Sequence, residues 1–120
     1  MAKRKETGLR STCPVAGTLD IVGDRWTLLV VRDLLRGKRR YGELLESAER
    51  IPTNILAERL RRLEAAGLVR STPYSAHPRR VAYELTDGGR QLADVLDALV
   101  TWGVQHVPGT RRPAPVDSPG

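Results

Sequence analysis

The sequence predicts a mainly α-helical (α+β) domain that carries one small β-hairpin, and three observations predict it. Apolar residues recur at helical spacing on both sides of a short turn, "ERIP" at residues 49–52. Directly after the second of those helices, apolar and polar residues alternate around a turn that contains proline. A last apolar stripe at helical spacing then closes the domain.

Each element has its own signal. Val15, Leu19, Val22 and Trp26 fall on one helical face, and Gly23 divides that stretch into a short helix and a longer one. The longer one, "DRWTLLVVRDLLRG", has Asp24 near its start and Gly37 at its end, and is apolar on nearly every side, as a central buried helix should be. "YGELLESA" (Tyr41 to Ala48) predicts a third helix with Tyr41, Leu44 and Leu45 facing inward. "TNILAERLRRLEAAGLV" then runs from Thr53 to the stop at Gly67. "LVRST" and "RVAYELT" bracket a loop, "PYSAHPR", and Val81, Tyr83 and Leu85 alternate with Ala82 and Glu84 as in a half-buried strand. Thr86 or Asp87 can cap a last helix, whose stripe is Leu92, Leu96, Leu99, Gly103 and His106, flanked by Val95 and Trp102. That order of elements is a winged helix-turn-helix, with the hairpin as the wing. Residues 13–107 form this domain, preceded by a basic N-terminal arm (1–12) and followed by a Pro/Gly-rich tail (108–120) expected to be disordered.

Composition narrows the function. A net charge of +6 on 120 residues suggests a polyanion partner such as nucleic acid, although an arginine-rich proteome would give the same balance. Cys13 is the only cysteine, so neither an internal disulfide nor a thiolate zinc site can form within one chain. His77 and His106 lie far apart with no carboxylate at ligand spacing, so no metal, cofactor or catalytic constellation is expected, and the chain does not read as an enzyme. The longest apolar run, "WTLLVV", is too short to span a bilayer, and the expected location is cytoplasmic, with no membrane partner.

On a helical wheel of about 100° per residue, Leu56, Leu60 and Leu63 form the core face of the Thr53–Gly67 helix. Asn54, Ala57, Glu58 and Arg61 lie opposite. The second helix of a helix-turn-helix enters the major groove with its N-terminal residues at base edges. Thr53, Asn54, Ala57, Glu58 and Arg61 are therefore the candidate readers of double-stranded DNA, since Asn can pair with adenine and Arg with guanine. Arg59 falls at the core border and Arg62 on the flank, suited to phosphate contact or to pairing within the chain. Glu58–Arg62 and Arg61–Glu64 have the spacing of ordinary surface pairs. Two more basic sites accompany the helix: His77, Arg79 and Arg80 near the wing tip, and Lys38, Arg39 and Arg40 before the third helix.

"CPVAGTLDIVGDRWTLLVVRDLLRGKRRYGELLES", "IPTNILAERLRRLEAAGLVR" and "RVAYELTDGGRQL" together resemble the HxlR family of bacterial transcriptional regulators, of the MarR-like winged-helix group. The resemblance covers about residues 13–103 and implies a homodimeric DNA-binding protein, with each recognition helix in a major groove and each wing beside it; the expected action is that of a repressor more than an activator, on an inverted-repeat operator. It further implies dimerisation through the terminal helices, here Cys13–Val22 and Gln91–Val107, with Val15, Leu19, Leu92, Leu96, Leu99 and Trp102 at the interface. Simple packing on the monomer core is the alternative for that stripe. Some members sense oxidants or electrophiles through a cysteine at the place of Cys13, which precedes Pro14 at a helix start near Arg10. Cys13 is thus a candidate redox sensor, or else a small buried residue at the dimer seam. Three departures stand out. Pro52 replaces a usual Ser at the helix cap, so Thr53 is expected to cap and shift the start by one residue. Tyr41 replaces Phe, acceptable if its hydroxyl reaches solvent, and Gly88 beside Gly89 weakens the start of the last helix. The rival reading is a winged-helix module for protein–protein interaction without specific DNA binding.

Overall fold

The computed structural model describes residues 10–113; residues 1–9 of the expected arm and 114–120 of the expected tail lie outside the described residues. The order is α1 (Pro14–Val22), α2 (Thr27–Leu35), α3 (Tyr41–Leu45), α4 (Thr53–Ala65), β1 (Val69–Ala76), β2 (Arg79–Leu85), α5 (Asp87–Arg90) and α6 (Leu92–His106). This is the winged helix-turn-helix read from the sequence. Helix α2 is its centre, packed against α1, α3, α4, α6 and β2. The core joins Val30, Val31 and Leu34 of α2 to Leu44, Ile51, Leu56, Leu60, Leu63, Val69 and Leu85.

The start of α2 is built by Asp24. Its carboxylate accepts the backbone N–H groups of Trp26 (2.8 Å) and Thr27 (2.9 Å) and the Thr27 hydroxyl, which fills donors the first helical turn leaves open. At the other end Gly37, at φ +97°, takes the left-handed conformation that reverses the chain. Helix α3 stops at Leu45, short of the expected Ala48. Beyond it Ser47 and Glu49 are drawn to Arg32 instead: the Arg32 guanidinium holds both Glu49 oxygens (2.6 and 3.0 Å) and reaches the Ser47 hydroxyl at 3.2 Å. The Arg32 bonds, with one from the Ser47 hydroxyl, hold the Glu49 carboxyl down at about 2, against the opposing effect of burial.

The wing is longer than its sequence suggested. "PYSA" is not loop: β1 continues to Ala76, and only His77 and Pro78 separate the strands. Pro73 pairs with Val81, and the register slips between Pro73 and Ser75. That bulge absorbs the proline, which a two-stranded sheet tolerates because every strand is an edge. The segment before α3 joins the same sheet through an Arg40–Ala82 bridge and a Tyr83 N–H to Arg39 carbonyl bond of 2.7 Å.

Thr86 caps the chain's return to helix, accepting the Gly89 N–H at 3.2 Å. The glycine pair leaves only one turn, α5, before α6 begins. Pro108 to Thr110, where the expected tail begins, turn back on α6: the Thr110 hydroxyl donates to the carbonyls of Gly103 (3.0 Å) and Val107 (2.7 Å). Among the described residues no helix is long and apolar enough to cross a membrane.

Candidate nucleic-acid interface

Helix α4 is held by its leucines and displays what remains. Leu56, Leu60 and Leu63 are fully buried; truncating one such leucine to alanine typically costs about 2–5 kcal/mol. On the opposite side Asn54 and Arg61 are exposed, with Ala57 half-buried between them. The Arg61–Glu64 pair does not form; Glu64 accepts the Ser71 hydroxyl at 2.9 Å instead. Arg61 thus enters no ion pair among the described residues.

Glu58, Arg59 and Arg62 are engaged within the chain. Arg59 Nε lies 3.0 Å from Asp24, its other arm pairs with Glu58, and its side chain is only 16% exposed. Arg59 thus makes the pairing within the chain that the sequence offered as the alternative to phosphate contact. Burial alone would raise the Asp24 carboxyl. Hydrogen bonds from the Thr27 hydroxyl, the Trp26 N–H, Arg59 and the Thr27 N–H outweigh it and hold the group well below the usual carboxylate range. Arg62 is 3.8 Å from Asp24 and 3.9 Å from Glu58, and touches the Asp20 carbonyl at 3.4 Å. The expected Glu58–Arg62 pair is therefore present. Asp24, legible in the sequence only as a helix start, also locks α4 onto α2.

The beginning of α4 differs from expectation. Thr53 does not cap and the start does not shift: Pro52 stays at the cap with no side-chain bond. The Thr53 hydroxyl is directed elsewhere, lying 2.8 Å from the Tyr41 hydroxyl, which also donates to the Thr53 carbonyl. The Tyr41 hydroxyl, at the exposed surface, ties α3 to the first turn of α4.

The two flanking basic sites are brought together only in part. His77, Arg79 and Arg80 are exposed at the wing tip as expected. Of the earlier group, Arg39 pairs loosely with Glu84 (3.6 Å), which also accepts Arg70 at 3.1 Å; Lys38 is half-buried. Arg40 lies over the Tyr74 ring, 4.4 Å from its centroid. Arg40, Tyr74, Arg79 and Arg80 line one concavity of about 390 Å³. Tyr74 escaped the sequence reading because it sat in what looked like a loop.

The terminal helices leave apolar surface uncovered. Val15 and Leu19 on α1, and Leu99, Trp102 and Val104 on α6, are exposed, and no side chain of α6 is fully buried. Leu92 and Leu96 depart from this group, since both pack on the chain's own core. Their side of α6 faces α2, and helical period alone does not separate an inner row from an outer one. Cys13 is exposed at the start of α1. Arg10, expected near its thiol, is bound to Asp20 at 2.6 Å. Among the described residues no group of three His, Cys, Asp or Glu is placed to hold a metal ion.

Comparison with known proteins agrees with this geometry. The family model described as HxlR-like helix-turn-helix matches residues 21–111. Mb3122 of Mycobacterium bovis (strain ATCC BAA-935 / AF2122/97), an uncharacterized HTH-type transcriptional regulator, is 40% identical over 99 residues, 82% of this chain. The match covers 62% of that relative's own length. The solved structure of PA1607 superposes with a TM-score of 0.77 at 38% identity, covering 90% of this chain and 76% of that one. The redox regulator HypR in its reduced form gives 0.72 at 32% identity, covering 80% and 95%. A helix-turn-helix pair followed by a wing, matched across most of its length by one family model, places this chain in the HxlR-like helix-turn-helix family.

Proposed function

We propose that this chain is a sequence-specific DNA-binding transcriptional regulator that acts as a homodimer on an inverted-repeat operator and represses by occupying the promoter. One observation carries the reading. The face of α4 turned away from the core presents Asn54 and Arg61, the latter in no ion pair among the described residues, with the small Ala57 between them. Thr53 stands at the end of this face, while Glu58 orders the arginines beside it. Dimerisation is supported by the exposed apolar rows of α1 and α6, which a monomer leaves in water.

Cys13 supplies the response to oxidant in this reading. HypR, similar in structure, is a redox regulator. With one cysteine per chain, two Cys13 thiols would give two electrons and two protons to the oxidant and form an intersubunit disulfide. A low-molecular-weight thiol disulfide would otherwise make a mixed disulfide by exchange with a single Cys13.

The test is a gel shift against the DNA upstream of the chain's own gene, with and without diamide. Specific retention with a steep salt slope is expected. A flat salt response, or equal affinity for unrelated duplexes, would favour a protein-binding winged helix. Arg61→Ala should relax preference at one base position; uniform loss over all sequences would make Arg61 a phosphate contact. Cys13→Ser should bind DNA normally and lose the diamide response. A response that survives removes Cys13 from the sensing role.

A further inference from the structure

The concavity between the wing and the start of α3 has a composition that its neighbours lack. Its lining is Arg40, Tyr41, Gly42, Tyr74, Arg79, Arg80, Val81 and Tyr83: three guanidinium groups and no carboxylate. None of those three arginines enters an ion pair among the described residues, whereas Arg32, Arg39, Arg59, Arg62 and Arg70 all do. Glu43, just behind, is engaged: its carboxylate accepts the backbone N–H groups of Arg39 and Arg40, both at 2.9 Å. With three arginines and no carboxylate among its lining residues, the hollow offers an entering anion a positive surface.

Two features make the hollow more than a basic patch. The slip in register between Pro73 and Ser75 falls at Tyr74, whose ring lies under the Arg40 guanidinium at 4.4 Å. Stacking fixes the plane of a side chain that would otherwise sample many rotamers. Tyr41 lines the same hollow and, through its hydroxyl, holds Thr53 at the start of α4. An anion seated here is therefore tied by one side chain to the helix that presents Asn54 and Arg61.

We propose that this concavity is a shared seat for a single backbone phosphate of the DNA strand, gripped jointly by Arg40, Arg79 and Arg80, with Tyr74 as the positioning residue for Arg40. The inference rests on the DNA-binding reading above and adds to it how the helix is set in register. One phosphate, held at a fixed distance from Thr53, determines which base pairs Asn54 and Arg61 can reach.

The test uses the full chain and a random-sequence 24-base-pair duplex, with affinity measured by fluorescence anisotropy across a salt series. Neutralising one phosphate contributes about 0.9 to the slope of log K against log salt. If the three arginines share one phosphate, Arg40→Ala, Arg79→Ala and Arg80→Ala combined should lower the slope by about 0.9 per bound protomer; independent contacts would lower it by about 2.7. A fall near 2.7, or no change, overturns the shared seat. Tyr74→Ala should weaken binding about twofold to fivefold, an effect of the size of an exposed cation–π contact. Tyr74→Phe should restore it, and neither change should matter once Arg40 is alanine. A Tyr74→Ala effect that persists in the Arg40→Ala chain would mean that the ring touches DNA itself, which overturns its positioning role. Sodium tripolyphosphate is the soluble competitor. Displacement of duplex by tripolyphosphate that is lost in the triple variant is expected, whereas tripolyphosphate that binds through the three arginines without displacing duplex would identify a free-polyanion site and overturn the strand assignment. Wild-type chain that binds no duplex at all defeats the DNA-binding reading, whereas wild type that binds and variants that match it defeat only the seat.

Discussion

At the scale of single residues, the arginines of this chain divide by whether a carboxylate reaches them. Arg59 and Arg32 are held by Asp24 and Glu49, and each holds one helix to the segment beside it. Arg61, Arg79 and Arg80 have no such partner among the described residues and face outward. Glu49 makes the first class testable by acid. Its carboxyl is lowered from 4.5 to about 2, chiefly by the Arg32 hydrogen bonds. A depressed folded-state value means that the pair's stabilisation is complete above the unfolded value and lost as pH falls through the folded one. Urea midpoints should therefore decline between about pH 4.5 and 2, and Glu49→Gln should flatten that decline while lowering stability at pH 7. A variant with the wild-type acid profile would show that the Glu49–Arg32 pair contributes nothing to folding. The sequence foretold little of this division. Arg59 was placed at the core border by helical angle alone, but its partner stands 35 positions earlier in the chain, and no local pattern encodes such a distance.

At the scale of elements, the helices were legible and the joints were not. Apolar period located α1, α2, α4 and α6 because that signal lies within each element. Gly23, Gly37 and Gly67 mark helix ends, and the Asp24 side chain marks the start of α2, although the expected cap of α4 did not form and Thr86 caps α5 and not α6. The end of α3 and the length of the wing depend on contacts from elsewhere, namely Arg32 pulling on Glu49 and the bulge at Tyr74. The glycine pair shows how much such a joint can demand. A Cβ on Gly89 would lie 2.1 Å from the backbone carbonyl oxygen of Leu68, which cannot move without disturbing β1. A Cβ on Gly88 would meet the Leu68 side chain at 3.5 Å and the Thr86 hydroxyl at 3.9 Å, both ordinary contacts. Gly89→Ala should destabilise the domain by about 2–3 kcal/mol through overpacking. Gly88→Ala should be neutral or should stabilise by up to about 1 kcal/mol through helix propensity. Urea denaturation of the two single variants checks both; equal effects would mean that α5 does not pack on Leu68 as described.

At the scale of the whole molecule, the apolar surface is divided between a finished core and an unfinished one. Leu92 and Leu96 turn the inner row of α6 into α2, while Leu99 and Trp102 remain about half exposed or more, at 51% and 60%, with Val15 at 65% and Leu19 at 53% on α1. Residues of this kind on two helices that frame the domain are worth about 1.5–3 kcal/mol each when fully covered, so leaving all of them in water would be a large and avoidable cost. A second copy offers the same rows in return, which is the self-complementarity that a two-fold interface needs. Leu99→Glu places a charge in that row without touching the monomer core, since Leu99 is not among the residues packed there. It should halve the mass measured by light scattering while leaving the helical circular dichroism unchanged. Because a dimer engages two half-sites at once, affinity for an inverted repeat should fall by about 100-fold or more, whereas affinity for a single half-site should change little. A Leu99→Glu chain that remains dimeric would place the interface elsewhere. One that is monomeric yet keeps full affinity for the inverted repeat would show that two-fold symmetry has no part in DNA recognition.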